Sequence, residues 1–157
     1  MRIALFPGSF DPFTLGHLDI LERGLRIFDR IEVTVATNSS KKPLFEPDER
    51  CALIEASIAH LKDVSVHSFQ GLIADHAKER NAVALLRGLR QVSDFEYERP
   101  MASANRRLNP GLETVFLLPA QKYGLISSTI VRDIHRWGGD VSTFVPPPIL
   151  EALRLKK

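Results

Sequence analysis

The chain predicts an α/β fold, a doubly wound five-stranded parallel sheet with helices on both faces. Three observations carry this. Short, largely β-branched apolar runs recur five times, amphipathic stretches with helical spacing lie between them, and strand and helix alternate throughout. Such alternation requires crossovers that lay helices against a parallel sheet. At 157 residues and 44% hydrophobic, residues 1–157 read as one domain, since a chain of this size buries about 70% of its unfolded surface.

The first run, Ile3 to Phe6, leads into Gly8-Ser-Phe-Asp-Pro-Phe-Thr-Leu-Gly-His17 and then a helix over His17 to Phe28, with Leu18, Leu21, Leu25 and Phe28 on one face. Ile31 to Ala36 is the second strand, followed by the turn Ser39-Ser-Lys-Lys-Pro43 and a helix over Pro47 to Leu61, opened by proline and acids. Val64 to Phe69 and Val83 to Leu86 are the third and fourth strands, with a short helix, Leu72 to Arg80, between them. Ser93 to Asn109 has helical character but contains Pro100, which predicts a kink or a split. The fifth strand is Val115 to Leu118; a helix over Ser127 to Trp137 stops at Gly138 and Gly139, and Pro148 to Arg154 closes the chain.

Ligands of doubly wound sheets bind beyond the carboxyl ends of the strands, and the polar motifs all fall there. A glycine-bearing turn from strand to helix leaves unpaired N–H groups at the positive end of a helix dipole, so Gly8 to His17 reads as a phosphate site. Ser9 and Thr14 supply hydroxyls, Gly8 and Gly16 allow close approach, and His17 sits where a cationic imidazole is disfavoured unless an anion arrives. Arg87 is launched from the end of a strand, Gly88 permits a tight turn that aims Arg90 the same way, and Asp94-Phe-Glu-Tyr-Glu98 follows. Ile126-Ser-Ser-Thr129 opens a helix with more hydroxyls than one cap needs.

Other chemistries are poorly supported. The dinucleotide fingerprint Gly-x-Gly-x-x-Gly and the Walker loop are absent from the sequence. Cys51, the sole cysteine, excludes an intrachain disulfide and a multi-cysteine metal site, fits a reducing compartment, and reads as a small packed side chain. His60, His67, His76 and His135 show no metal-cage spacing with acids and read as surface or structural residues. A formal charge of +2 gives no argument for nucleic acid, and no apolar run approaches the ~20 residues of a membrane span. The expectation is a soluble cytoplasmic protein.

Taken together, Pro7-Gly-Ser-Phe-Asp-Pro12 with Thr14-Leu-Gly-His17, Ser40-Lys-Lys-Pro43, Arg87-Gly-Leu-Arg90, Asp94-Phe-Glu-Tyr-Glu98 and Ile126-Ser-Ser-Thr129 resemble the bacterial phosphopantetheine adenylyltransferase family, within the Rossmann-like nucleotidyltransferases that carry a (His/Thr)-x-Gly-His signature. The resemblance covers essentially the whole chain, with Leu15 where the family usually has Asn and Gly124 where a bulkier aromatic is common nearby. It implies transfer of the adenylyl group of ATP to 4′-phosphopantetheine, giving dephospho-CoA and pyrophosphate, with Mg²⁺ on the nucleotide, CoA as a candidate inhibitor and a homohexameric assembly. It assigns catalysis to His17, Lys41 and Arg90. ATP would be held by Ser9, Phe10 and His17, by Gly88, Leu89, Arg90 and Glu98, and by the run Tyr123, Gly124, Leu125, Ile126, Ser127, Ser128 and Thr129. The acceptor would be held by Ser9, Lys41, Ile73 and Arg87. No metal-ligating side chain is implied.

Overall fold

The computed structural model describes residues 1–37 and 42–156. Five strands, β1 (Ile3–Gly8), β2 (Arg30–Ala36), β3 (Val64–Phe69), β4 (Ala84–Gly88) and β5 (Glu113–Leu117), form one parallel sheet in the order β3-β2-β1-β4-β5. Among the described residues six α-helices intervene or follow: α1 (Leu15–Gly24), α2 (Pro47–Ser57), α3 (Ile73–Glu79), α4 (Val92–Leu108), α5 (Ser128–Arg136) and α6 (Pro147–Leu155). Every expected strand and helix is present. The chain winds outward from β1 in one direction through β2 and β3, then returns to the other side through β4 and β5, so β1 and β4 flank the point where the order reverses.

Side-chain alternation along the strands splits the interior into two layers. Ala4, Phe6, Ile31, Val33, Val35 and Leu86 point into the larger core, which Ile20 and Leu21 of α1, Ile54 of α2, Val131 of α5 and Ile149 of α6 cover. Leu5, Leu85 and Leu112 form a smaller core against Ala74 and Ala77 of α3. Fully burying each large aliphatic side chain contributes roughly 1.5–3 kcal/mol, so the larger layer dominates the hold on the sheet.

Two boundaries differ instructively from the sequence pattern. Helix α1 ends at Gly24 rather than Phe28. A Cβ on Gly24 would come 2.6 Å from Leu86 Cδ2 and 2.8 Å from Ile31 Cδ1, so the glycine lets the helix end seat directly on the sheet. Helix α4 runs unbroken across Pro100. The carbonyl that Pro100 leaves unbonded, that of Glu96, lies on an exposed stretch where water can satisfy it. Among the described residues no helix is long and apolar enough to cross a membrane.

Candidate active site

A cleft of about 670 Å³ opens where β1 and β4 end. Its floor is the β1–α1 turn. Thr14 caps α1: its hydroxyl accepts from the His17 N–H at 3.3 Å, and its own N–H donates to His17 Nδ1 at 3.0 Å. A backbone N–H can only donate, so Nδ1 is unprotonated and the imidazole carries its hydrogen on Nε2. Nε2 has no partner among the described residues, and His17 lines the cleft. Burial, then Arg90, then Arg87, lower the His17 pKa from 6.5 to about 3. The histidine is therefore a neutral hydrogen-bond donor at neutral pH, set in a field that favours an arriving anion.

The turn itself is shaped by Phe10, which adopts a left-handed backbone (φ 50°) and stands edge-on to the His17 ring at 5.0 Å between centroids. Gly8 makes room for this, because a Cβ there would lie 2.9 Å from the Phe10 ring. Asp11, only 8% exposed, accepts from the N–H groups of Leu44 and Phe45 and so ties the turn to the segment before α2.

From β4, Arg87 donates Nε and Nη2 to the Glu98 carboxylate and Nη1 to the Pro7 carbonyl, leaving two of its five N–H groups for a ligand. Arg90 donates Nη1 to the Ile126 carbonyl at 3.3 Å and lies 3.7 Å from Asp94, whose carboxylate also accepts the Arg90 N–H. At the far wall, the three hydroxyls that open α5 each have a task. Ser127 is the N-cap, accepting from the Ile130 N–H; Ser128 donates to the Pro12 carbonyl at 2.8 Å; Thr129 accepts from Arg132. A hydroxyl so engaged still has acceptor or donor capacity left, and all three line the cleft.

The structure brings most of the sequence-selected residues together. Ser9, Phe10 and His17 from the turn, Arg87, Gly88, Arg90 and Glu98 from the β4 side, and Tyr123, Ile126 and the three hydroxyls from the α5 side all line one cleft. Leu89, Gly124 and Leu125 are adjacent in the chain but do not line it, Leu125 pointing to solvent at 86% exposure. Ile73 is also outside the lining, at the start of α3 and packed on the smaller core. Lys41 lies outside the described residues. Two lining arginines escaped the sequence reading. Arg132 is four residues after Ser128, on the same face of α5, a spacing that could have found it. Arg50 sits inside a proline-and-acid helix start with no local motif to mark it, and it is 5% exposed.

Among the described residues no group of three or more His, Cys, Asp or Glu is placed to hold a metal ion. Cys51 is half-buried against the larger core, where burial and then Asp48 push its thiol pKa up.

Known proteins resemble this chain in sequence and in fold. The cytidylyltransferase-like family model matches residues 5–134. A protein named phosphopantetheine adenylyltransferase from Caldanaerobacter subterraneus subsp. tengcongensis is 47% identical over 156 residues, 99% of this chain and 98% of its own length. Another so named, from Mannheimia succiniciproducens, is 50% identical over 155 residues with the same coverage, 99% and 98%. Among solved structures, a putative nicotinate-nucleotide adenylyltransferase from Vibrio parahaemolyticus superposes with a TM-score of 0.73 at 20% identity, covering 99% of this chain and 93% of that one. A bifunctional NMN adenylyltransferase/ADP ribose pyrophosphatase from Francisella tularensis gives 0.75 at 14% identity, over 98% of this chain and 49% of the other. These two share the fold.

Proposed function

Because the chain belongs to the phosphopantetheine adenylyltransferases, within the cytidylyltransferase-like nucleotidyltransferases, we propose that it transfers the adenylyl group of ATP to 4′-phosphopantetheine, forming dephospho-CoA and pyrophosphate in coenzyme A synthesis. The observation that carries this reading is the convergence of a neutral His17 donor, the β1–α1 turn and four arginines on one cleft at the sheet's switch point.

The chemistry asks little of a base. The attacking oxygen belongs to a phosphate monoester already ionised near pH 7, and it forms a bond to the α-phosphorus as the bond to the pyrophosphate oxygen breaks. Two anions must be aligned, and charge that builds on the equatorial oxygens must be met by fixed donors. His17 Nε2–H donates to the α-phosphate, with Ser9 and the Phe10 N–H beside it. Arg90 neutralises the nucleotide phosphates, and Lys41 and the two remaining Arg87 N–H groups hold the acceptor phosphate. Adenine lies against Tyr123 and Ile126, with Gly88 and Glu98 at that end, Leu89, Gly124 and Leu125 contributing only through the backbone they share with the lining residues, and Ser127, Ser128 and Thr129 taking the outer phosphates. Ile73 follows the pantetheine arm. Mg²⁺, which would lower the charge of the triphosphate, fits a site whose carboxylates are already engaged: Glu98 and Asp94 are bound to arginines and Asp11 to the Leu44 and Phe45 N–H groups, so phosphate oxygens and water would hold the ion.

The reading places the enzyme in the cytoplasm as a homohexamer, with CoA as an inhibitor. Assembly is supported by the exposed apolar side chains on and near α4, among them Val92 at 78% and Tyr97 at 73% exposure, with Phe95, Met101 and Leu108. The test is incubation of the pure protein with ATP, Mg²⁺ and 4′-phosphopantetheine. Equal yields of pyrophosphate and dephospho-CoA are expected; preference for CTP, or for nicotinamide mononucleotide as acceptor, overturns the assignment, as does ATP binding with no pyrophosphate released when 4′-phosphopantetheine is present.

A further inference from the structure

The β1–α1 turn is gripped at alternate carbonyls by three arginines from three elements. Arg87 of β4 donates to the Pro7 carbonyl, Arg50 of α2 to that of Ser9, and Arg132 of α5 to that of Asp11. Their consequences differ. Gly8, after Pro7, belongs to β1, and Pro12, after Asp11, has no N–H. Only the peptide between Ser9 and Phe10 carries an N–H outside both β1 and α1, and that N–H has no partner among the described residues. In a planar trans peptide the C=O and N–H point in opposite directions, so holding the Ser9 carbonyl fixes where the Phe10 N–H points. The same peptide sets the left-handed φ of Phe10, a conformation that persists only when its surroundings hold it.

We propose that Arg50 is a positioning residue for adenylyl transfer, acting through the Ser9 carbonyl to aim the Phe10 N–H at the transferred phosphate. Arg50 is buried, it donates Nε to the Phe45 carbonyl at 3.0 Å and Nη1 to the Ala36 carbonyl at 3.2 Å as well as to Ser9, and among the described residues no carboxylate pairs with it. Burying an unpaired cation is costly, and a neutral donor would satisfy the same carbonyls. The charge is useful when an anion enters the cleft that Arg50 lines. The planar guanidinium also spans the end of β2, the turn and the start of α2 at once, which a lysine ammonium cannot do with the same geometry.

The activity arm of the test rests on the adenylyl-transfer reading; the binding arm does not. In the first, Arg50→Ala and Arg50→Lys are assayed beside the wild type. Arg50→Ala is expected to lose about 10²-fold in kcat, the scale of a small misplacement of a catalytic group, with KM for ATP within about threefold. Methylguanidinium should restore it several-fold while leaving His17→Ala unrescued. Arg50→Lys, the variant that keeps the buried charge if the alanine protein does not fold, should melt near the wild type yet lose at least about tenfold in kcat. In the second arm, inorganic pyrophosphate is titrated into ¹⁵N-labelled protein: the Phe10 amide resonance should shift in the wild type and stay still in Arg50→Lys. Wild-type turnover in a folded Arg50→Lys, or an equal Phe10 shift in both proteins, overturns the proposal. A wild type that shows the Phe10 shift but makes no dephospho-CoA sinks the functional reading and leaves the positioning role standing.

Discussion

Two polar clusters sit on this sheet, and they are built on opposite plans. On the side facing α3, Glu32 is 3% exposed and accepts two bonds from Arg80, at 2.6 and 3.0 Å, with Arg30 3.6 Å away. Beside it His67 and His76 meet Nε2 to Nε2 at 2.7 Å, with His76 stacked on Phe69. One imidazole donates and the other accepts, so the pair is satisfied only while at least one ring is neutral. In the cleft, Arg50, Arg87, Arg90 and Arg132 stand among three carboxylates, Glu98, Asp94 and Asp11, the last already held by the Leu44 and Phe45 N–H groups, and the arginines bind backbone carbonyls and the Thr129 hydroxyl for the rest. The first cluster matches its carboxylate to arginine and its imidazoles to each other, leaving only Arg30 Nε and His76 Nδ1 buried without a hydrogen-bond partner among the described residues. The second is complete only when an anion arrives. Charge left uncompensated, rather than charge as such, separates the site from the scaffold.

The sharpest way to break that contrast is at His17. His17→Ala is expected to lower kcat by about 10²–10³-fold, the scale of removing one fixed donor to a developing oxyanion, with ATP affinity by calorimetry within threefold. A matching loss of ATP affinity would make it a ground-state contact instead. Glu32→Gln should do the reverse. It leaves two arginines beside a neutral amide, and with Arg80 itself half in water the loss is about 1–3 kcal/mol of unfolding free energy, read by urea titration, with kcat unchanged. A fall in kcat there would erase the distinction between scaffold and site.

Lys41→Ala is expected to raise KM for 4′-phosphopantetheine by about tenfold while KM for ATP stays within twofold, the loss of one charge-assisted contact. Normal acceptor binding by calorimetry would remove Lys41 from the site. The smallest effect concerns pH. His17 has a native pKa of about 3 against 6.5 for the unfolded chain, so below pH 6.5 the unfolded state takes up the proton first. Stability from the neutral ring is present in full above pH 6.5 and is lost as pH falls from there toward 3. His17→Gln should therefore show a shallower decline in Tm between pH 6.5 and 4 than the wild type; parallel curves would mean that the ring is not held neutral. A phosphate ligand, by offsetting Arg87 and Arg90, should flatten the wild-type curve.

How much of this could be read from the chain depends on range. The strand runs and the Gly8 to His17 turn announce themselves through local periodicity and local chemistry, and so did Arg87, Arg90 and the hydroxyls that open α5. Arg132 is legible too, since its four-residue spacing from Ser128 places both on one face of α5. Arg50 was not legible at all, because what makes it a site residue is a set of carbonyls at Ser9, Ala36 and Phe45 that the fold, not the sequence, brings to it. The His67–His76 contact is similar: nine residues apart, the two rings meet only because α3 folds back on β3. Pro100 misled in the other direction, since its effect on α4 depends on whether water reaches the Glu96 carbonyl.

The central claim is direct attack of one anion on another, held in line by donors and cations with no covalent step on the protein. The measurement that tests it most directly is the stereochemical course at phosphorus, using ATP made chiral at the α-phosphate by sulfur substitution and 4′-phosphopantetheine as acceptor. A single displacement predicts inversion. Retention would require an adenylylated side chain between two displacements and would contradict the account.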